Sequence, residues 1–183
     1  VWLDLRIVFH SICLGFLLVI TATDLASLYI PNFVVNWGLI VAISGAFASG
    51  ELQMAHLWVD WNVEIPGLVG PYIPDWIKGH PHWHALGWSI VGACVGWVLI
   101  AVVRKIAEFA LGRPAMGAGD VTLMAMIGAF LGWQPTVIAF FIAPVLALTL
   151  GPLARRVSKE VAVPYGPFLA LGAIIPSFFD FSN

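Results

Sequence analysis

The sequence predicts an all-α polytopic membrane protein with six transmembrane helices, and three observations carry that prediction. Of its 183 residues, 61% are apolar and 10% are Asp, Glu, Lys or Arg, against about 25% charged in an ordinary soluble domain. Mean hydropathy is +0.96. The scarce charge is also confined, leaving long runs with none at all. A soluble single domain, a disordered chain and a nucleic-acid binder with a basic face are excluded. A lipid bilayer is the expected surrounding. The net charge of −2 says nothing about partners.

A helix needs about 20 apolar residues to cross a bilayer. The first candidate span covers 7–22, interrupted only by His10. The second covers 33–48 and extends back to Ile30, and the third covers 85–103. Residues 121–154 form a charge-free stretch of 34 residues. At about 1.5 Å per residue that is too long for one crossing of a ~30 Å core. The run Gly132-Trp133-Gln134-Pro135 breaks it into helices of roughly 121–132 and 135–151. The sixth span covers 161–179.

Charge placement supports this count. Six spans put the loops 104–119 and 152–162 on one side, and these hold six of the eight basic residues. That side is then cytoplasmic, because Lys and Arg are retained there. Five spans would divide the two clusters between opposite faces. The segment 23–32 falls inside, and the N-terminus and the loop 49–84 fall outside. The outer loop holds Glu51, Asp60, Glu64 and Asp75 with four tryptophans, and 56–61 reads as an interfacial segment. The expected location is the cell inner membrane, with a single membrane-embedded domain over 1–183. The chain opens on Val1 and not Met, which leaves room for sequence upstream. No cleavable signal peptide is expected, since a basic n-region and a small-residue cleavage site are missing.

Two carboxylates stand apart from the outer loop and the chain ends. Asp24 closes span 1 and Asp120 opens span 4, so the topology places both near the cytoplasmic boundary. An ionisable group inside a membrane segment costs about 2.5–3.5 kcal/mol on insertion scales and is usually functional. Two close carboxyl groups share one proton. The ionised member can take a proton from water while its partner polarises a carbonyl. That is the chemistry of aspartic peptide hydrolysis, and it calls for no cofactor. The structural alternatives are a helix cap for Asp120 and a headgroup-facing position for Asp24. Cys13 and Cys94 alone cannot build a disulfide framework or a zinc tetrad. His80, His82 and His84 would share one side of an extended strand. Lacking further ligands, they read as a polar outer rim, and no metal is assigned.

Gly117-Ala118-Gly119-Asp120 is a GxGD motif, and six residues separate Asp24 from Pro31-Asn32. The run 164–172, Pro164-Tyr165-Gly166-Pro167 onward, stands near the end. In that order these motifs resemble those of the type IV prepilin peptidases, over about 22–172. The resemblance implies a membrane aspartic endopeptidase. Such an enzyme removes short basic leaders from prepilins or type II secretion pseudopilins, cutting on the cytoplasmic side after a glycine. It implies Asp24 and Asp120 as the catalytic pair. Gly117 and Gly119 would let a substrate backbone approach. Pro31, Pro164 and Gly166 would shape the same boundary, with helices interrupted at the prolines.

Bifunctional members carry an upstream domain with two CxxC pairs. No CxxC occurs here, so methyl transfer is not expected. Thr122 stands where the family often has Lys. Presenilin-like proteases also use GxGD, but their Tyr-Asp and Pro-Ala-Leu patterns are missing. A proton-coupled transporter relaying protons through Asp24 and Asp120 would predict repeat symmetry between the two halves, and none is visible. The remaining alternative is a structural subunit with both aspartates as caps.

Overall fold

The computed structural model describes residues 2–50, 52, 75–113, 116–158 and 164–177. The interfacial segment expected at 56–61, most of the outer loop, and Lys159 and Glu160 lie outside the described residues. The chain forms α1 (Trp2–Ser27), α2 (Asn32–Ser49), a short α3 (Asp75–Gly79), α4 (Pro81–Leu111), α5 (Ala118–Leu131), α6 (Trp133–Ser158) and α7 (Gly166–Ser177). The described residues contain no strand.

Local chemistry sets the helix ends. Leu28 leaves α1 with a left-handed backbone, φ 51°, and Pro31 then forms the N-cap of α2. Gly50 and Gly112 close α2 and α4 with positive φ, the conformation a glycine adopts without steric cost. Pro81 stands at the start of α4, where its missing N–H would be unsatisfied anyway. The break expected in the long apolar stretch falls at Gly132, whose φ of 81° and ψ of 176° cannot continue a helix. Its N–H still closes α5 onto the Gly128 carbonyl at 2.9 Å.

Among the described residues, four helical segments are long and apolar enough to cross a membrane: Leu5–Ser27, Asn32–Ser49, Pro81–Leu111 and Trp133–Pro152. The chain is thus a multi-pass membrane protein by length and composition. The other two expected crossings are shorter, 14 residues in α5 and 12 in α7. At about 1.5 Å per residue, α5 rises only about 21 Å. The last helix also begins at Gly166, five residues later than its apolar run suggests. Hydropathy cannot place that start, because 161–165 is as apolar as the helix itself.

Enclosure accounts for the short α5. Every residue from Leu123 to Leu131 is buried, as are Asp120 and Val121. The neighbouring α4 approaches it backbone to backbone. A Cβ added at Gly92 would strike the Gly128 carbonyl, and one added at Gly128 would strike the Gly92 carbonyl. Gly96, one turn along, faces the Met124 carbonyl in the same way. Lipid tails are as apolar as side chains, so close packing and interhelical hydrogen bonds must hold membrane helices together. The Ser89 hydroxyl supplies one such bond, donating to the Ala129 carbonyl at 2.8 Å.

At the opposite end of the bundle, the three histidines do not lie on a strand. His80 caps α4, and His82 and His84 fall two apart on a helix, pointing in divergent directions. His82 Nδ1 lies 2.7 Å from the Phe47 carbonyl.

Gly128→Leu should lower thermal stability in detergent by about 1–3 kcal/mol or more through overpacking. Gly15, where an added Cβ would meet nothing within 4 Å, is the control. Gly15→Ala should be neutral or stabilising by up to about 1 kcal/mol. Equal effects in thermal melts would refute the α4–α5 contact.

Candidate active site

Asp24 occupies the last turn of α1. A carboxylate is poorly placed there, because the carbonyl end of a helix carries partial negative charge. Compensation comes from α7: the Gly166 N–H donates to Asp24 Oδ2 at 2.9 Å. Glycine is required at that point, since an added Cβ would lie 2.7 Å from the same oxygen. Asp24 is 5% exposed.

Asp120 is the third residue of α5, and the N-cap itself is Gly117. The structural alternative, Asp120 as the N-cap, does not hold, because it stands one turn inside the helix. Asp120 instead places its Oδ2 beside Gly117, 3.3 Å from where a Cβ there would stand. It is 7% exposed. Asp24 is thus held by a backbone N–H at the start of α7, and Asp120 stands in the first turn of α5, so the positive end of a helix dipole faces each carboxylate.

The two aspartates line one pocket of about 560 Å³ with Gly117, Gly119, Pro164 and Tyr165. Asp24 is close enough to act electrostatically on Asp120. Gly119 packs against Ile30, whose Cβ would lie 2.8 Å from an added one. This packing keeps the start of α5 against the 28–32 segment. Pro31 separates Ile30 from Asn32, both of which line the pocket. The Thr122 hydroxyl donates back to the Gly119 carbonyl at 3.0 Å, a local bond within the helix that brings no charge. Arg104 of α4 is close enough to act electrostatically on Asp120, and it also pairs with Glu108 at 2.7 Å.

Two lining residues escape sequence reasoning. Tyr165 lies inside the quoted motif, but apolar patterning gives it no special role. Burial, with the nearby Asp120 second, pushes its phenol up to about 12, so it stays a neutral hydrogen-bond donor. Leu28 carries the left-handed backbone, φ 51°, which costs a branched residue about 1–2 kcal/mol. A leucine gives no sign of that conformation in sequence. Of the three histidines expected to form an outer rim, His80 and His82 line a separate pocket with Phe47 and Trp83, whereas His84 is buried.

Comparisons with known proteins point the same way. The family model described as the type IV leader peptidase family matches residues 11–151. The prepilin leader peptidase/N-methyltransferase of Pectobacterium carotovorum subsp. carotovorum is 28% identical over 166 residues, covering 89% of this chain and 48% of that protein. The protein of the same name from Stutzerimonas stutzeri is 30% identical over 67% of this chain and 44% of its own. That from Aeromonas hydrophila is 30% identical over 75% of this chain and 53% of its own. The chain spans about half the length of the curated relatives it matches. No solved structure matches.

A chain whose Cys13 and Cys94 are replaced by serine, carrying Asp24→Cys and Asp120→Cys, should be linked between α1 and α5 by a short bis-thiol reagent. The cross-link would appear as a mobility shift after cleavage of the α2–α4 loop. A double variant that takes up two separate labels and no bridge would contradict the shared pocket.

Proposed function

The chain belongs to the type IV leader peptidase family, and from that premise we propose that it is a membrane aspartic endopeptidase that removes a short basic leader from a prepilin or pseudopilin. The observation that carries this reading is the pairing of Asp24 and Asp120 in one pocket, both buried, with Asp24 held by the Gly166 N–H. The proposed cut follows a glycine at the cytoplasmic boundary of the inner membrane.

In this mechanism a water sits between the two carboxyl groups. One carboxylate takes its proton as the oxygen attacks the scissile carbonyl, and the protonated partner donates toward the carbonyl oxygen. Tyr165, neutral and lining the same pocket, supplies a second donor to the developing oxyanion. Proton transfer to the departing amine then breaks the C–N bond. A side chain at Gly117 would crowd Asp120 Oδ2, 3.3 Å from an added Cβ, so glycine there leaves room for the substrate backbone. A glycine before the cut fits, because the chain passes between two carboxyl groups and needs unusual torsions.

The orientation rests on charge. Asp120 lies within the field of Arg104, and Arg104 and Lys105 belong to the basic cluster that favours the cytoplasmic side. Anionic headgroups there would hold a basic leader at about 1 kcal/mol per Lys or Arg.

Asp24→Asn and Asp120→Asn should each lower cleavage of a prepilin in detergent by about 10²–10⁴-fold or more, with melting behaviour close to wild type. Tyr165→Phe should reduce kcat by about 10²-fold with KM little changed. Substantial activity in either asparagine variant would sink the aspartate assignment. For orientation, a cysteine placed at position 70 should react with an impermeant reagent applied outside the cell. Reaction only after permeabilisation would reverse the topology.

A further inference from the structure

A second cavity, distinct from the aspartate pocket, opens between α1, α6 and α7. It has a volume of about 580 Å³, and none of the described residues that line it is charged. Leu14 and Leu18 of α1 form one wall, and Leu171 of α7 forms the other. These three are 38%, 69% and 42% exposed, whereas Leu17, Phe168 and Ala170 beneath them are 2–4% exposed. The shape is therefore a trough with a closed floor, and Leu150 of α6 borders it.

Apolar surface alone identifies no ligand in a membrane protein. The location does. The trough includes Leu25 and Pro167. Leu25 is the residue after Asp24, and Pro167 is the residue after Gly166, which hydrogen bonds to Asp24. From that end it runs along α1 to Leu14, eleven residues or about 16 Å. At its far end Leu14 of α1 and Ile174 of α7 approach from opposite chain directions. A polar pocket carrying two carboxyl groups thus adjoins an apolar trough half a bilayer core in length. The complementary ligand has a polar extended segment joined to an apolar helix.

We propose that the trough seats the first three turns of the substrate's apolar helix, immediately after the scissile bond. The proposal rests on the peptidase reading above and adds where the uncut half of the substrate is held. Thr21 and Ala170 give the trough small side chains along its length, as close helix–helix packing requires. Seating the helix there fixes how far the scissile bond reaches past the end of α1, and so sets the register of cleavage.

The test uses the full chain in lipid nanodiscs with a prepilin of intact leader and helix. A photoreactive residue replaces Leu18 or Leu171 in the Asp120→Asn background, with Trp97 on α4 as the control position. The substrate should cross-link at both trough positions, within about eleven residues after the cut, and at least tenfold less at Trp97. Independently, Thr21→Trp and Leu171→Trp, made in the active chain, should raise KM at least tenfold while leaving kcat and the melting temperature nearly unchanged. Cross-links to lipid alone at Leu18 and Leu171, or unchanged KM in both folded tryptophan variants, would overturn the proposal while wild-type cleavage keeps the peptidase reading intact. A wild-type chain that cleaves no prepilin would remove both.

Discussion

The hydrogen bond from the Gly166 N–H to Asp24 joins the first helix of the bundle to the last, across 142 residues of sequence. It places a carboxylate where a helix end would otherwise oppose it, and it needs a residue without a side chain at that point. The position of α7 against α1, the lining contributed by Pro164 and Tyr165, and the trough between the two helices all depend on that seam. A break there would leave Asp24 buried at the wrong pole of its helix with no compensating donor, a costly condition in an apolar setting.

The second aspartate depends on a different device. Asp120 is carried by α5, which is enclosed by its neighbours and gripped by α4 through mutual glycine contacts. Such a contact tolerates almost no displacement, because backbone atoms already touch. The two carboxyl groups are consequently mounted on unlike supports. One is tethered by a single N–H from a distant helix, and the other is set by the most closely packed helix pair in the bundle.

Much of this is legible in the amino-acid order alone. Charge-free runs locate the helices, and Gly132 with Pro135 marks the break between α5 and α6. The motif order pairs Asp24 with Asp120. Other features leave no mark in the sequence. The start of α7 is hidden because 161–165 is as apolar as the helix it leads into. The difference between spanning helices and the shorter α5 and α7 is set by neighbours, not by hydropathy. Alternating histidines suggest a strand, yet Pro81 starts a helix among them. Gly92, Gly96 and Gly128 look like ordinary membrane glycines, because their importance lies in what faces them. Tyr165 and Leu28 acquire meaning only from the pocket they line and, for Leu28, from a backbone angle.

The enclosure of α5 bears on how the protein experiences membranes of different thickness. A helix exposed to lipid must match the hydrocarbon depth by tilting, or deform the bilayer around it. With its side chains from Leu123 to Leu131 covered by protein, α5 is solvated by other helices and is free of that matching condition. The depth of Asp120 is then fixed relative to the surrounding helices and not relative to the lipid. Hydrophobic mismatch would be absorbed by the outer helices, whose lengths already exceed α5 by several residues, while the spacing of the two carboxyl groups stays constant. Thinner and thicker bilayers should therefore alter how the protein tilts far more than they alter the geometry between α1 and α5.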